Sequence, residues 1–338
     1  MISISVAKPF DLRVKEADAP KVGPNELLVR VRRAGICGSD LHILHGSNPF
    51  AKYPRVIGHE FAGEVIGLGE GATGFLVGDN VVVDPVIACG HCYPCRIGRP
   101  NVCANLEVMG VHRDGGFRSV VAVPAANAIK LRPETPIAIG ALAEPFSIAA
   151  NILGRTGCGP EDTVLLYGAG TVGVTVMQVA KVSGARVIVA DPDAARLERA
   201  LTFGADRVLR SGHDDIPAQV AGETDGLGPT IVIDCAGVPA LLEEACRVAS
   251  PAGRIGIMGF SPAPCNISQQ EIVKKELTLY GSRLNRRLLP EVVGWLESGR
   301  LKPEAMITQT FAATDAAAAF ALFENEPGRT IKIQLDFD

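Results

Sequence analysis

The chain has 338 residues, of which 47% are hydrophobic and 21% charged, a composition that folds and a length that suits two domains, each with its own core. Its formal net charge of −4, with acidic and basic residues interleaved, offers no cationic stripe to nucleic acid or to an anionic membrane surface. The first residues lack a basic stretch followed by an apolar one, and no long uninterrupted apolar run occurs, so a cytoplasmic location away from membranes is expected.

Short β-branched runs at Glu26–Arg33 and from Phe61 to Val83, separated by glycine and aspartate turns, predict antiparallel strands in a barrel-like body. Among them lie Cys37, in Gly35-Ile36-Cys37-Gly38-Ser39-Asp40-Leu41-His42, and His59, in Gly58-His59-Glu60. Thiolate and imidazole are ligands that zinc favours. A lone cysteine is more often core filler and a lone histidine a satisfied structural residue, so this pair alone is only suggestive.

Nine cysteines without a secretion signal are expected to be free thiols or metal ligands, not a disulfide framework. Cys89-x2-Cys92-x2-Cys95-x7-Cys103 gathers four of them in one loop punctuated by glycine and proline. That spacing suits a closed tetrahedral zinc site, and four sulfur ligands leave no position for water or substrate, so its role is structural. An iron–sulfur cluster is the rival, but no second cluster motif accompanies it. His91, inside the loop, reads as an ordinary loop residue. His112-Arg113-Asp114-Gly115-Gly116-Phe117 follows. It either lines a substrate cleft, where Arg113 would favour a carboxylate or many hydroxyls, or forms a plain surface turn.

From Asp162 the pattern becomes strand, glycine turn, helix: Thr163–Tyr167, Val172–Ser183, Arg186–Ala190, Ala194–Phe203 and Ile231–Cys235, which implies a parallel sheet. Gly168-Ala169-Gly170-Thr171-Val172-Gly173 follows the apolar Val164–Tyr167 and opens a helix, the context a dinucleotide fingerprint needs. Gly168 would make the tight turn, Gly170 would admit the pyrophosphate to backbone N–H groups, and Gly173 would let helix and strand pack closely. Asp191 ends the next strand, where a carboxylate accepts the adenosine ribose hydroxyls and repels a 2′-phosphate, so NAD is expected over NADP. Arg196 either pairs with Asp191 or touches the adenosine end. After about Leu277 short mixed elements return, with a helix expected at Leu289–Ser298 and a strand at Thr330–Leu335.

Gly58-His59-Glu60-Phe61-Ala62-Gly63 with Gly69, in order with Cys37, the cysteine loop and the fingerprint, resembles the zinc signature of the medium-chain alcohol dehydrogenase family across essentially the whole chain. The resemblance implies an α/β chain, a GroES-like β-barrel catalytic domain interrupted by a Rossmann domain with a doubly wound parallel sheet, which agrees with the changes of pattern along the chain that put the inserted domain at 146–276 and the β-rich body at 1–145 and 277–338. It implies two zinc ions per chain. Cys37 and His59 become ligands of a catalytic zinc, with Glu60 a nearby carboxylate that ligates or holds a water. Ala141-Leu142-Ala143-Glu144-Pro145 fits the Ala-x-x-Glu-Pro setting of the polyol and threonine dehydrogenase branches, which assigns Glu144 as the remaining ligand over Cys158. Ser39 and His42 resemble the family's proton-relay positions, although Ser39 at a helix cap and an exposed His42 is the local alternative. Asp40 is a candidate for orienting a ligand.

Val111–Phe117 and Glu144–Asn151 resemble the bacterial sugar-acid dehydrogenases acting on L-galactonate and similar compounds, with sorbitol or galactitol and L-threonine 3-dehydrogenases also close. The implied activity is oxidation of a secondary alcohol of a polyol or sugar acid with NAD, in a homodimer or homotetramer. A non-catalytic nicotinamide-binding regulator is the reading from another class.

Overall fold

The computed structural model describes residues 1–338 and divides into two compact units, Met1–Ser147 with Asn285–Asp338, and Ile148–Leu284. The first unit is built around the strand Glu26–Gly35. Leu27, Val29, Val31 and Ala34 turn inward and are fully buried, while Arg30 and Arg32 turn outward to Glu64. This alternation half-buries the strand, as an antiparallel sheet requires. It pairs antiparallel with Glu60–Leu68, Val120–Pro124 and the terminal strand Lys332–Asp336. Two register shifts along the Glu60–Leu68 pairing bend the sheet. The chain's last strand therefore lies beside its third, and carries Lys332 into the interior of the body begun by the first residues.

The second unit holds six parallel strands in the order Arg207–Arg210, Arg186–Asp191, Thr163–Tyr167, Ile231–Asp234, Arg254–Ile257 and Thr278–Gly281. The inner strands are apolar along their middles, with polar residues confined to their ends. Leu165, Ile188, Val232 and Ile255 are all fully buried, each worth about 1.5–3 kcal/mol. The expected boundary at 276/277 is corrected by this sheet. Thr278–Gly281 hydrogen-bonds to Arg254–Ile257 as the sixth strand, and the chain returns to the first unit only at Asn285. A four-residue edge strand with alternating polarity carries too weak a pattern to read as the end of a parallel sheet.

One helical stretch, Ile137–Thr156, has the length and mean hydropathy, 1.5, to cross a bilayer, and 78% of it is buried within the protein. Ala143, Phe146, Ala149 and Ile152 are fully covered. Such a segment is a core helix.

Candidate active site and metal centres

In the cysteine loop, the sulfurs of Cys89, Cys92, Cys95 and Cys103 lie within 4.8 Å of one another, with Cys92 3.4 Å from Cys95 and 3.7 Å from Cys103. A tetrahedron with metal–sulfur bonds of about 2.3 Å has edges of about 3.8 Å, so the four donors fit a zinc ion. Backbone N–H groups of Cys89 and Asn105 donate to the Cys103 sulfur, and that of Ala104 to Cys92. Backbone amides of His91 and Cys92 pull the Cys89 thiol down to about 6, whereas desolvation pushes Cys95 up to about 12. The loop thus prepares part of its charge for a cation and needs one for the rest. His91 is exposed, its Nδ1 2.9 Å from the Cys89 carbonyl.

The other cluster is deeper. Cys37 is the N-cap of the short helix Gly38–Leu44, and His59 ends the turn before the strand Glu60–Leu68. Ligand atoms of Cys37, His59 and Glu60 lie within 4.8 Å of one another. Asp40, fully buried, ties the two segments together: its Oδ2 accepts from the Cys37 amide at 2.9 Å, its Oδ1 from the Gly58 amide at 3.2 Å, and Oδ1 stands 3.6 Å from His59 Nδ1. Burial favours the neutral imidazole of His59, but Asp40 and Cys37 outweigh it and raise the group well above its ordinary value. Ser39 Oγ is 3.4 Å from His59 Nε2. His42 is not linked to it; its Nδ1 faces Ser47 Oγ at 3.1 Å on the surface.

Glu144 opens the helix Ala143–Thr156 and is 3% exposed. Burial pushes its carboxyl up to about 8, with Glu60 and Asp84 adding to the shift and His59 and Lys332 opposing it. Asp40, Asp84, Glu60 and Glu144 are all buried, and among them the buried lysine is Lys332. The Cys37 thiol, the His59 imidazole and the Glu60 carboxylate, whose ligand atoms lie together, are a donor set that fits a divalent cation, and Glu144 is not among the atoms so grouped.

Lys332 is the residue that sequence reasoning missed. It is 1% exposed, and its Nζ donates to both Glu60 oxygens, at 2.8 and 2.7 Å, and to the Ile36 carbonyl at 3.0 Å. Glu60 is therefore held from behind. Ile331-Lys332-Ile333-Gln334-Leu335 alternates apolar and polar residues and so reads Lys332 as facing water, whereas all five are buried. His112 Nδ1 accepts from the Val108 amide, and its ring lies over Phe50 at 5.7 Å. Arg113 pairs with Glu107 at 3.6 Å.

In the second unit Gly168 has φ +99°, and a Cβ on Gly173 would stand 2.0 Å from the Gly168 carbonyl. Only glycine permits that turn and that approach. A Cβ on Gly170, the N-cap of the helix Thr171–Val182, would meet nothing within 4 Å, so the amide end of the helix is open to a phosphate. Asp191 is less open than expected. Its Oδ2 accepts from the Ala169 amide at 2.7 Å and its Oδ1 from Asp193 at 2.8 Å, with Arg196 Nη1 3.9 Å away.

Residues 23–133 match the alcohol dehydrogenase GroES-like domain and residues 171–298 the zinc-binding dehydrogenase domain. The chain belongs to the zinc-type medium-chain alcohol dehydrogenase family. The dehydrogenase is 47% identical, over 100% of its length and 99% of the relative's, to the starvation-sensing protein RspB of Escherichia coli K12. It is 38% identical to L-threonine 3-dehydrogenase of Pyrococcus horikoshii (98% of this chain, 97% of the relative). With L-galactonate-5-dehydrogenase of Escherichia coli K12 it shares 36% (91% and 88%). The solved structure of alcohol dehydrogenase rspB from Escherichia coli CFT073, complexed with NADH, superposes with a TM-score of 0.96 at 46% identity, covering 100% of this chain and 99% of that one. The two units are thus a GroES-like β-barrel domain and a Rossmann domain, the expected α/β class.

Proposed function

We propose that this NAD-dependent alcohol dehydrogenase oxidises a secondary alcohol of a sugar acid, an aldonate of the L-galactonate kind, to the ketone. The observation that carries the reading is the seat of the Arg113 loop. Gly115, Gly116 and Phe117 donate backbone hydrogen bonds to the carbonyls of Val56, Gly58 and Ile57, at 2.8, 2.8 and 3.0 Å. His112 and Arg113 are thereby fixed against the turn that presents His59, and a guanidinium there suits a carboxylate-bearing substrate.

Cys37, His59 and Glu144 would hold the catalytic zinc, and Cys89, Cys92, Cys95 and Cys103 the structural one. When bound, the catalytic ion supplies Lewis-acid chemistry, lowering the pKa of the alcohol hydroxyl so that hydride can leave for the nicotinamide. Asp40 keeps the Cys37 and His59 segments in register. Lys332 neutralises Glu60 and holds it beside the ligands as an alternative carboxylate. Ser39 Oγ, against the His59 ring, receives the proton from the alcohol, and His42 passes it on only through a rearranged side chain or a water, since its own partner is Ser47. The open amide end at Gly170 supports pyrophosphate binding. The family's habit supports a dimer or tetramer, and light scattering tests it.

The second reading, L-threonine oxidation, is favoured by the 38% identical archaeal relative. Initial rates with NAD⁺ across aldonates, polyols and L-threonine separate the two. An aldonate is expected to give the highest kcat/KM, and Arg113→Ala to raise its KM by about tenfold while leaving polyols alone, as loss of one charge-assisted pair would. Preference for L-threonine, or an equal effect of Arg113→Ala on all substrates, overturns the assignment.

A further inference from the structure

From the middle of the Rossmann sheet to its edge, adjacent parallel strands end in Tyr167 before Gly168, in Asp191 and in Arg210. Ligands of doubly wound sheets lie outside such carboxyl ends. A coenzyme whose pyrophosphate meets the Gly168–Gly173 turn therefore lays its adenosine toward Asp191, and Arg210 is the next strand end along; this step rests on the nucleotide reading above.

Asp191 is a muted guard against a 2′-phosphate. Its side chain is 3% exposed, each oxygen already takes a backbone N–H, and the Arg196 guanidinium stands 3.9 Å from Oδ2. Two amides and a guanidinium therefore already face the carboxylate that would repel a phosphate. Arg210, by contrast, is exposed. It is Asp191's register partner, and its Nε donates to the Pro192 carbonyl at 3.3 Å, which holds the guanidinium over the turn after Asp191. The neighbouring acids form no ion pair with its guanidinium: Asp193 accepts from the Ala195 and Arg196 amides, and Asp214 from the Arg210 amide. A planar guanidinium fork matches a phosphate bidentately.

We propose that Arg210, with Arg196, forms a subsite for a phosphate on the adenosine 2′-oxygen, so that the enzyme accepts NADP(H) beside NAD(H) and Arg210 sets the ratio. The test is calorimetric titration of the whole chain with 5′-AMP and with 2′,5′-ADP, which isolates the adenosine end from catalysis. Arg210→Ala is expected to weaken 2′,5′-ADP by about tenfold, the scale of one charged hydrogen bond, and 5′-AMP by less than about twofold, with Arg210→Lys between. Retained 5′-AMP binding also certifies that the variant folds. Equal loss of both fragments, no loss of either, or failure of the unaltered chain to take 2′,5′-ADP while it binds 5′-AMP overturns the inference. Failure of the unaltered chain to bind 5′-AMP and NADH alike overturns the nucleotide reading beneath it.

Discussion

The cysteine loop draws all its donors from one stretch, Cys89 to Cys103, and supports them with its own backbone amides. The Cys37 cluster instead collects side chains from a helix cap, a strand start, the helix Ala143–Thr156 and the last strand, and holds them by burial: His59 7%, Glu60 1%, Glu144 3% and Lys332 1% exposed. The first is a local staple, with three of its donors half-buried and Cys103 buried. The second is a set of charges that the surrounding fold forces together, so its chemistry depends on every element that closes around it.

The comparison is broken most directly at Cys37. Cys37→Ala should reduce zinc from two ions per chain to one and turnover by roughly a thousandfold or more, the scale of several kcal/mol of lost charge stabilisation, with 5′-AMP binding retained. Metal analysis and steady-state rates read both. Unchanged turnover with two zincs retained removes Cys37 from the chemistry. Cys95→Ala should also cost one zinc, but appear first as a lower melting temperature and protease sensitivity near residues 89–103, since a structural ion's binding energy is folding energy. Turnover per folded molecule should stay within about threefold, because four sulfurs leave no position for substrate.

The same contrast explains what was legible. Ligand spacing within one loop is written in consecutive letters, and so are the strand–turn–helix context and the separate duties of Gly168 and Gly173. Cys37, His59 and Glu144 carry no such spacing; their grouping came from family resemblance, and the donors that the fold brings within 4.8 Å of one another are those of Cys37, His59 and Glu60. Lys332 lay beyond either route. Nothing local ties it to Glu60, and the register of the final strand against Glu26–Gly35 brings them together. Asp191 was legible as a position, but its two backbone partners were not, because amides that donate to a side chain leave no trace in sequence. The edge strand Thr278–Gly281 was lost for the converse reason, being too short and too mixed to announce its sheet.

Lys332→Met isolates the buried charge. It strands Glu60 without its cation, and removal of one partner from a buried pair costs about 3–5 kcal/mol. The urea midpoint should fall accordingly, and Lys332→Arg should restore part of it. The double variant Lys332→Met with Glu60→Gln should recover more stability than either change alone predicts, since the penalty belongs to the unpaired charge. Additive losses would mean that the lysine merely fills space.

The smallest effect reads the same centre through protons. Burial raises Glu144 from an ordinary 4.5 to about 8, and Asp40 and Cys37 lift His59 above 6.5 in the metal-free chain. The folded chain thus keeps protons that the unfolded chain releases: the stability Glu144 contributes is present below pH 4.5 and is lost as pH rises through about 8, and that of His59 is present below pH 6.5 and is lost as pH rises through its raised value. The slope is at most about 1.4 kcal/mol per pH unit for each proton held. Zinc displaces those protons, so its affinity should climb with pH across the same window, and the zinc-loaded chain should lack this slope. Urea midpoints of loaded and stripped protein from pH 5 to pH 8.5 make the comparison, in which titrations elsewhere cancel. Glu144→Gln should flatten the stripped curve and leave the cysteine loop's ion in place. Parallel curves for the loaded and stripped protein would show that the buried carboxyl does not await a cation.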